Sequence, residues 1–106
     1  MVTEKLPFVQ YFEGDYCVRE FEIDVQHRDL KWHYDEEPRR VKVIKSNGWK
    51  FQYDNQLPID LIEGDIINIE PYNYHRCIKG HDKLIIKFLV SASDNKQKLN
   101  RKSTEI

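Results

Sequence analysis

Along the chain, apolar and polar side chains alternate one for one over many short stretches instead of recurring every three or four residues. In residues 17–23, Cys17, Arg19, Phe21 and Ile23 share one face, and Val18, Glu20 and Glu22 share the other. That two-residue period belongs to an extended strand. Residues 49–54 repeat it, with Trp49, Phe51 and Tyr53 against Lys50, Gln52 and Asp54. The three aromatics are expected to fill the core, because rings of that size dominate buried area. Further strands are read at residues 29–34, 40–45, 58–62, 66–69, 74–78 and 83–90. Turn signals separate them. Asn47-Gly48 suits a tight hairpin, and Glu63-Gly64-Asp65 and Glu70-Pro71-Tyr72-Asn73 punctuate the second half. About eight short strands with hardly any helical pattern predict an all-β, antiparallel sandwich or barrel. Residues 1–90 are read as one domain. Residues 91–106 are polar and lack aromatics, so a disordered tail outside the core is expected.

Charge narrows the partners. With 17 basic and 18 acidic residues the formal net charge is −1, which offers no positive field for a phosphate backbone, so no nucleic acid is expected. No apolar run approaches the ~20 residues that cross a bilayer, and no apolar leader stands at the start; no membrane partner is expected. Cys17 and Cys77 are too few for a disulfide framework and are read as reduced thiols in a cytoplasmic setting. Their 60-residue separation is within reach of an immunoglobulin-like sandwich, the rival architecture, but the polar residues around them do not favour it.

The candidate chemistry lies in His33, Asp35 and His75. In a strand His33 and Asp35 point the same way, and a second imidazole from another strand would complete a set of two histidines and one carboxylate. Such a set holds a divalent ion (Fe, Mn, Ni or Zn) with positions left open for a small polar ligand. The competing reading pairs Asp35 with Arg39 or Arg40 and satisfies both imidazoles by hydrogen bonds. Gln52, Tyr72 and Tyr74 are candidate substrate-binding groups, the tyrosines flanking His75 at a pocket mouth. Cys77 shares strand parity with His75, whereas Arg76 falls on the opposite face. Residues 35–40 read as a solvated rim loop, and His27 and His81 as exposed. No Ser/His/Asp set, phosphate-binding glycine loop or Cys-x-x-Cys pair is present.

Over residues 32–89 the chain resembles the cupins, in particular the short stand-alone cupins of bacteria and marine phages. The resemblance is carried by Trp32-His33-Tyr34-Asp35, by Val41 through Gly48-Trp49, by Glu63-Gly64-Asp65, and by Glu70 through His75. The second cupin motif is matched by Gly64-Asp65 and His75. The first is matched in part, since Asp35 stands at the second histidine position and Arg40 near the glutamate position. The resemblance implies a double-stranded β-helix, a jelly-roll barrel. It implies either a metal-dependent enzyme acting on a small molecule or a metal-free module for small-molecule binding or interaction. Homodimerisation through sheet edges or swapped N-terminal strands is also implied, with residues 17–23 as the expected edge strand.

Overall fold

The structure, a computed structural model, describes residues 7–26 and 30–90. The chain forms β1 (Phe8–Glu13), β2 (Tyr16–Phe21), β3 (Arg39–Lys45), β4 (Lys50–Tyr53), β5 (Ile59–Asp60), β6 (Ile66–Ile69), β7 (His75–Ile78) and β8 (Leu84–Leu89). Two sheets result, one in the order β1-β2-β8-β3-β6 and one in the order β5-β4-β7. Every pairing is antiparallel. An isolated bridge between His33 and His75 adds one more pair on the free side of β7. The segment before β3 thus takes the place of a fourth strand in the smaller sheet. The all-β expectation holds.

The larger sheet has a well-defined inner face. Cys17 and Val41 both pair with Phe88, and Arg19 and Val43 both pair with Ile86. Alternation therefore places Cys17, Arg19 and Phe21 of β2 on one side with Phe88, Ile86 and Leu84 of β8. Phe21, Val43, Trp49, Phe51, Leu61 and Leu84 form the main core cluster, and Cys17, Val41 and Phe88 a second. Trp49 is fully buried, as the aromatic alternation predicts, and its Nε1 donates to the Asp82 carbonyl. Phe51 is buried and Tyr53 half-buried.

Three expectations about elements are corrected. The expected strand at residues 29–34 is not seen: residues 27–29 lie outside the described residues, and over 30–34 only His33 makes a bridge. Trp32 and Tyr34 are exposed, so the alternation there does not mark a paired strand. In its place stands β1, closed onto β2 by Gly14-Asp15. Gly14 has φ 61° and Asp15 has none of the positive-φ geometry, the pattern of a two-residue hairpin with glycine first.

Asn47-Gly48 does turn the chain, with Gly48 at φ 82°, but it joins no hairpin. Strand β3 pairs with β8 and β6, and β4 with β5 and β7. The turn is the corner at which the chain crosses between sheets, held by the His81 amide donating to the Asn47 carbonyl at 2.7 Å. Residues 17–23 are likewise not an edge, because β2 is paired on both sides, by β1 and by β8. The expected tail, 91–106, lies outside the described residues. No helix among the described residues is long and apolar enough to cross a membrane.

Candidate metal centre and its cavity

His33 and His75 are fixed opposite one another by the backbone. The His33 amide donates to the His75 carbonyl at 3.0 Å, and the His75 amide donates back at 2.8 Å. This reciprocal pair sets both side chains on one face, with ring centroids 4.4 Å apart. Two residues beyond His33, Asp35 returns to the same side, as its parity requires. Its carbonyl is anchored by the Tyr72 amide at 2.8 Å. Tyr72 reaches that bond with φ 63°, the sole positive φ among the described non-glycine residues. A side chain held in that region costs free energy, so the loop before β7 is bent against local preference to seat Asp35 beside His75.

One donor atom from each of His33, Asp35 and His75 lies within 4.8 Å of the others. Both imidazoles are oriented by the backbone. His33 Nδ1 sits 2.9 Å from the Lys31 carbonyl, and His75 Nδ1 sits 2.8 Å from the Asn73 carbonyl. A carbonyl only accepts, so each Nδ1 carries the hydrogen and the coordinating atom left is Nε2. Carbonyl partners of this kind orient metal-binding histidines.

His75 Nε2 faces Asp35 Oδ2 at 3.5 Å. That is long for a hydrogen bond, and close to the ~3.0–3.4 Å between two donors bonded to one ion at about 2.1 Å. A lone pair and a carboxylate facing each other need positive charge between them, either a proton on Nε2 or a cation. The donor set therefore fits a divalent ion.

Arg39 flanks the trio, its Nε 3.8 Å from Asp35 Oδ2. Burial works against ionisation of Asp35. The His75 imidazole, the Arg39 guanidinium and His33 outweigh it and hold the carboxyl below its usual range. His75 is buried, packed against Phe51 at 5.5 Å and Tyr53 at 6.2 Å between centroids, while His33 is exposed. The site thus has one wall in the core and one open to solvent.

The trio opens onto a cavity of about 340 Å³ between the two sheets. Its walls are mostly apolar, including Phe8, Phe21, Phe51 and Phe88. Cys77 lines it as parity predicts, and burial pushes its thiol up to about 12, so it remains a neutral thiol there. Of the residues expected to bind substrate, none lines this space. Gln52 turns to the outer side, where its Oε1 accepts two bonds from the Arg76 guanidinium at 2.9 and 3.0 Å. Tyr72 and Tyr74 are exposed and pack on Tyr34, at 5.7 and 5.2 Å. Arg76 lies outside, as expected, over the Trp32 ring.

Two arginines line the cavity, a role the sequence reading did not give them. Arg39, read there as a rim-loop residue or as a partner of Asp35, begins β3, pairs with Asp35 and lines the cavity. Arg19 lines it too, from the middle of the larger sheet. The available signal was parity, since Arg19 alternates in phase with Cys17 and Phe21, both buried.

No family model matches the sequence, and no curated protein matches it. Solved structures do match in shape. A cupin-2 domain protein from Shewanella frigidimarina is 16% identical with TM-score 0.55, covering 81% of this chain and 82% of that one. A protein from Neisseria meningitidis is 10% identical with TM-score 0.53, covering 83% and 88%. A cupin domain from Bordetella pertussis is 8% identical with TM-score 0.53, covering 86% and 100%. At these identities the likeness speaks for architecture alone, and with the two antiparallel sheets it shows that this chain has the cupin fold.

Proposed function

We propose that this small cupin-fold protein holds a divalent metal ion through His33, Asp35 and His75 and binds or transforms a small molecule in the adjoining cavity. The observation that carries the reading is the orientation of the two imidazoles. Backbone carbonyls occupy both Nδ1 positions, which turns Nε2 of His75 onto the Asp35 carboxylate. Fe, Mn, Ni and Zn all suit such a mixed nitrogen and oxygen set. A bound ion would polarise a substrate oxygen as a Lewis acid. The chain's own contributions are separate: Asp35 supplies negative charge, Arg39 fixes that carboxylate, and the apolar walls exclude water from the ligand.

A second reading has a specific observation behind it. The Arg39 guanidinium already stands 3.8 Å from the Asp35 carboxylate, so that charge has a partner without a metal and the site suits a metal-free small-molecule binding or interaction module. Metal content of the purified protein, followed by titration of metal-stripped protein with Mn(II), Fe(II), Ni(II) and Zn(II), separates the two. Saturable binding lost in His75→Ala supports the metal centre; no saturable binding of any of the four supports the metal-free module. The free cysteines Cys17 and Cys77 suit a reducing, cytoplasmic setting. For a homodimer the pairing edge is β1, where Val9 and Tyr11 are exposed.

A further inference from the structure

Beyond β7 the smaller sheet ends at the segment around His33. His33 and His75 exchange both of their backbone bonds. In an antiparallel pair that arrangement turns the N–H and C=O groups of the residues on either side away from the partner strand. Those residues are Trp32 and Tyr34, and among the described residues neither makes a backbone hydrogen bond. Side-chain contacts hold the register on both sides of the bridge. The Arg76 guanidinium lies 4.5 Å from the Trp32 ring centroid, and the Tyr34 ring meets Tyr74 edge-on at 5.2 Å. The segment is thus kept extended against β7, with its outer backbone groups open.

Proteins commonly blunt such an edge with proline, charged side chains or a covering loop. Trp32-His33-Tyr34 contains no proline, lysine, arginine or carboxylate. Its outer face is aromatic instead: Trp32, Tyr34, Tyr72 and Tyr74 are all exposed, with Tyr34 also 5.7 Å from Tyr72. On the other face stand His33, itself exposed, and Asp35. Past the edge, Glu36 is exposed and makes no ion pair among the described residues.

We infer that this edge takes an extended peptide, added antiparallel to residues 32–34 as a further strand of the smaller sheet. Such a strand exchanges backbone bonds with Trp32 and with Tyr34. The two peptide residues that do so turn their side chains onto the aromatic face, which suits apolar residues. The residue between them lies opposite His33, at the closer spacing of about 4.5 Å between Cα atoms. Its side chain turns to the side of His33, Asp35 and His75. Every pairing between strands in the fold is antiparallel, so the peptide's N-terminal end runs toward Glu36, where a basic residue is favoured. A peptide side chain as what meets the candidate centre rests on the proposed function; docking of the strand does not need the metal.

The test is titration of the full chain in EDTA with a blocked hexapeptide, acetyl-Lys-Ser-Val-Ser-Val-Ser-amide, followed by calorimetry and by amide hydrogen exchange. Saturable binding is expected, with exchange slowed at the Trp32 and Tyr34 amides. N-methylation of both valines removes the two donors that face the edge and should weaken binding by about tenfold or more. N-methylation of the serine between them, whose N–H points away, should leave binding nearly unchanged. Tyr34→Ala and Tyr74→Ala should weaken binding, while Tyr16→Ala, exposed on the other sheet, should not. Glutamate in place of the peptide's lysine should also weaken binding, and Glu36→Gln should remove that difference. Should a tyrosine variant fail to fold, the two N-methylated peptides on wild-type protein decide the matter. No saturable binding, equal loss with both N-methylated peptides, or equal binding of the lysine and glutamate peptides overturns the inference. So does slowed exchange along β1, β5 or β6 in place of residues 32 and 34. Protection of the Trp32 and Tyr34 amides that grows with protein concentration, without peptide, would give the edge to a second copy and overturn it too. A metal titration of the same protein freed of EDTA tests the centre separately, so either reading can fail alone.

Discussion

Truncating His33 separates metal binding from folding. Its ring is exposed and its hydrogen bond to the Lys31 carbonyl is worth about 1 kcal/mol or less. His33→Ala should therefore lower the melting temperature of metal-free protein by no more than ~5 °C. Metal tells a different story. A ligand at a hundred times its dissociation constant stabilises the folded state by about 2.7 kcal/mol. For a chain of 106 residues the unfolding entropy makes each kcal/mol worth about 4–5 °C. Wild-type protein should thus gain about 12 °C at that metal concentration. Losing a residue that merely orients a ligand costs ten- to a hundredfold in affinity, and a ligand itself should cost no less than the upper figure. At the same metal concentration His33→Ala would then stand near half-saturation, a gain of about 0.4 kcal/mol or ~2 °C. Thermal unfolding followed by circular dichroism, with and without Zn(II) or Mn(II), measures both numbers. His81→Ala, on an exposed loop, should shift like the wild type. Equal metal-induced shifts in wild type, His33→Ala and His81→Ala would refute the three-residue site.

Other outcomes follow from the same geometry. Protons compete with metal for the two imidazoles, so the metal-induced shift should shrink on acidification; a shift independent of pH would place the ion elsewhere. Gly80→Ala should lower the melting temperature by roughly 5–13 °C, since a Cβ there meets the Asn47 carbonyl and the Trp49 ring and backbone, an overpacking cost of about 1–3 kcal/mol. An unchanged melting temperature would show that the Trp49 corner yields. Glu20 is held below the usual carboxylate range first by the Tyr11 hydroxyl and then by Lys83. A lowered carboxyl adds stability above its unfolded pKa that is lost as pH falls through the folded one. Glu20→Gln should accordingly flatten part of the acid-side decline in melting temperature between about pH 5 and pH 3, and an unaltered decline would remove this trio from the account.

Strand content was legible because alternation is a local signal. The inner faces of β4 and β8 carry large apolar residues in phase, and burial follows them. Strand β1 was harder to read. Phe8, Gln10 and Phe12 are each half-buried, and a polar residue in the middle weakens the pattern. At residues 30–35 the alternation of Leu30, Trp32 and Tyr34 looked like a strand, yet Trp32 and Tyr34 face solvent. An aromatic can alternate without being paired. Asn47-Gly48 announced a turn correctly, but a turn residue does not say whether the next strand stays in the sheet or leaves it. That depends on long-range pairing of β3 with β6 and β8.

The site divides along the same line. His33 and Asp35 are two residues apart, so parity alone sets them on one side. His75 is 42 positions further on, and only its backbone bridge to His33 brings it there; the family resemblance, not periodicity, pointed to that meeting. The cavity role of Arg19 and Arg39 was missed for a physical reason. Parity put Arg19 in phase with Cys17 and Phe21, but an arginine is not expected on an inner wall, because burying an unpaired charge is costly. Here each guanidinium lies on an aromatic face and within reach of a polar partner, which offsets that cost. A cation kept on an inner face, with its partners built into neighbouring strands, departs from the pattern that shapes the rest of the sheet. Such departures concentrate where a protein meets its ligand, and in this chain both occur on the walls of one cavity.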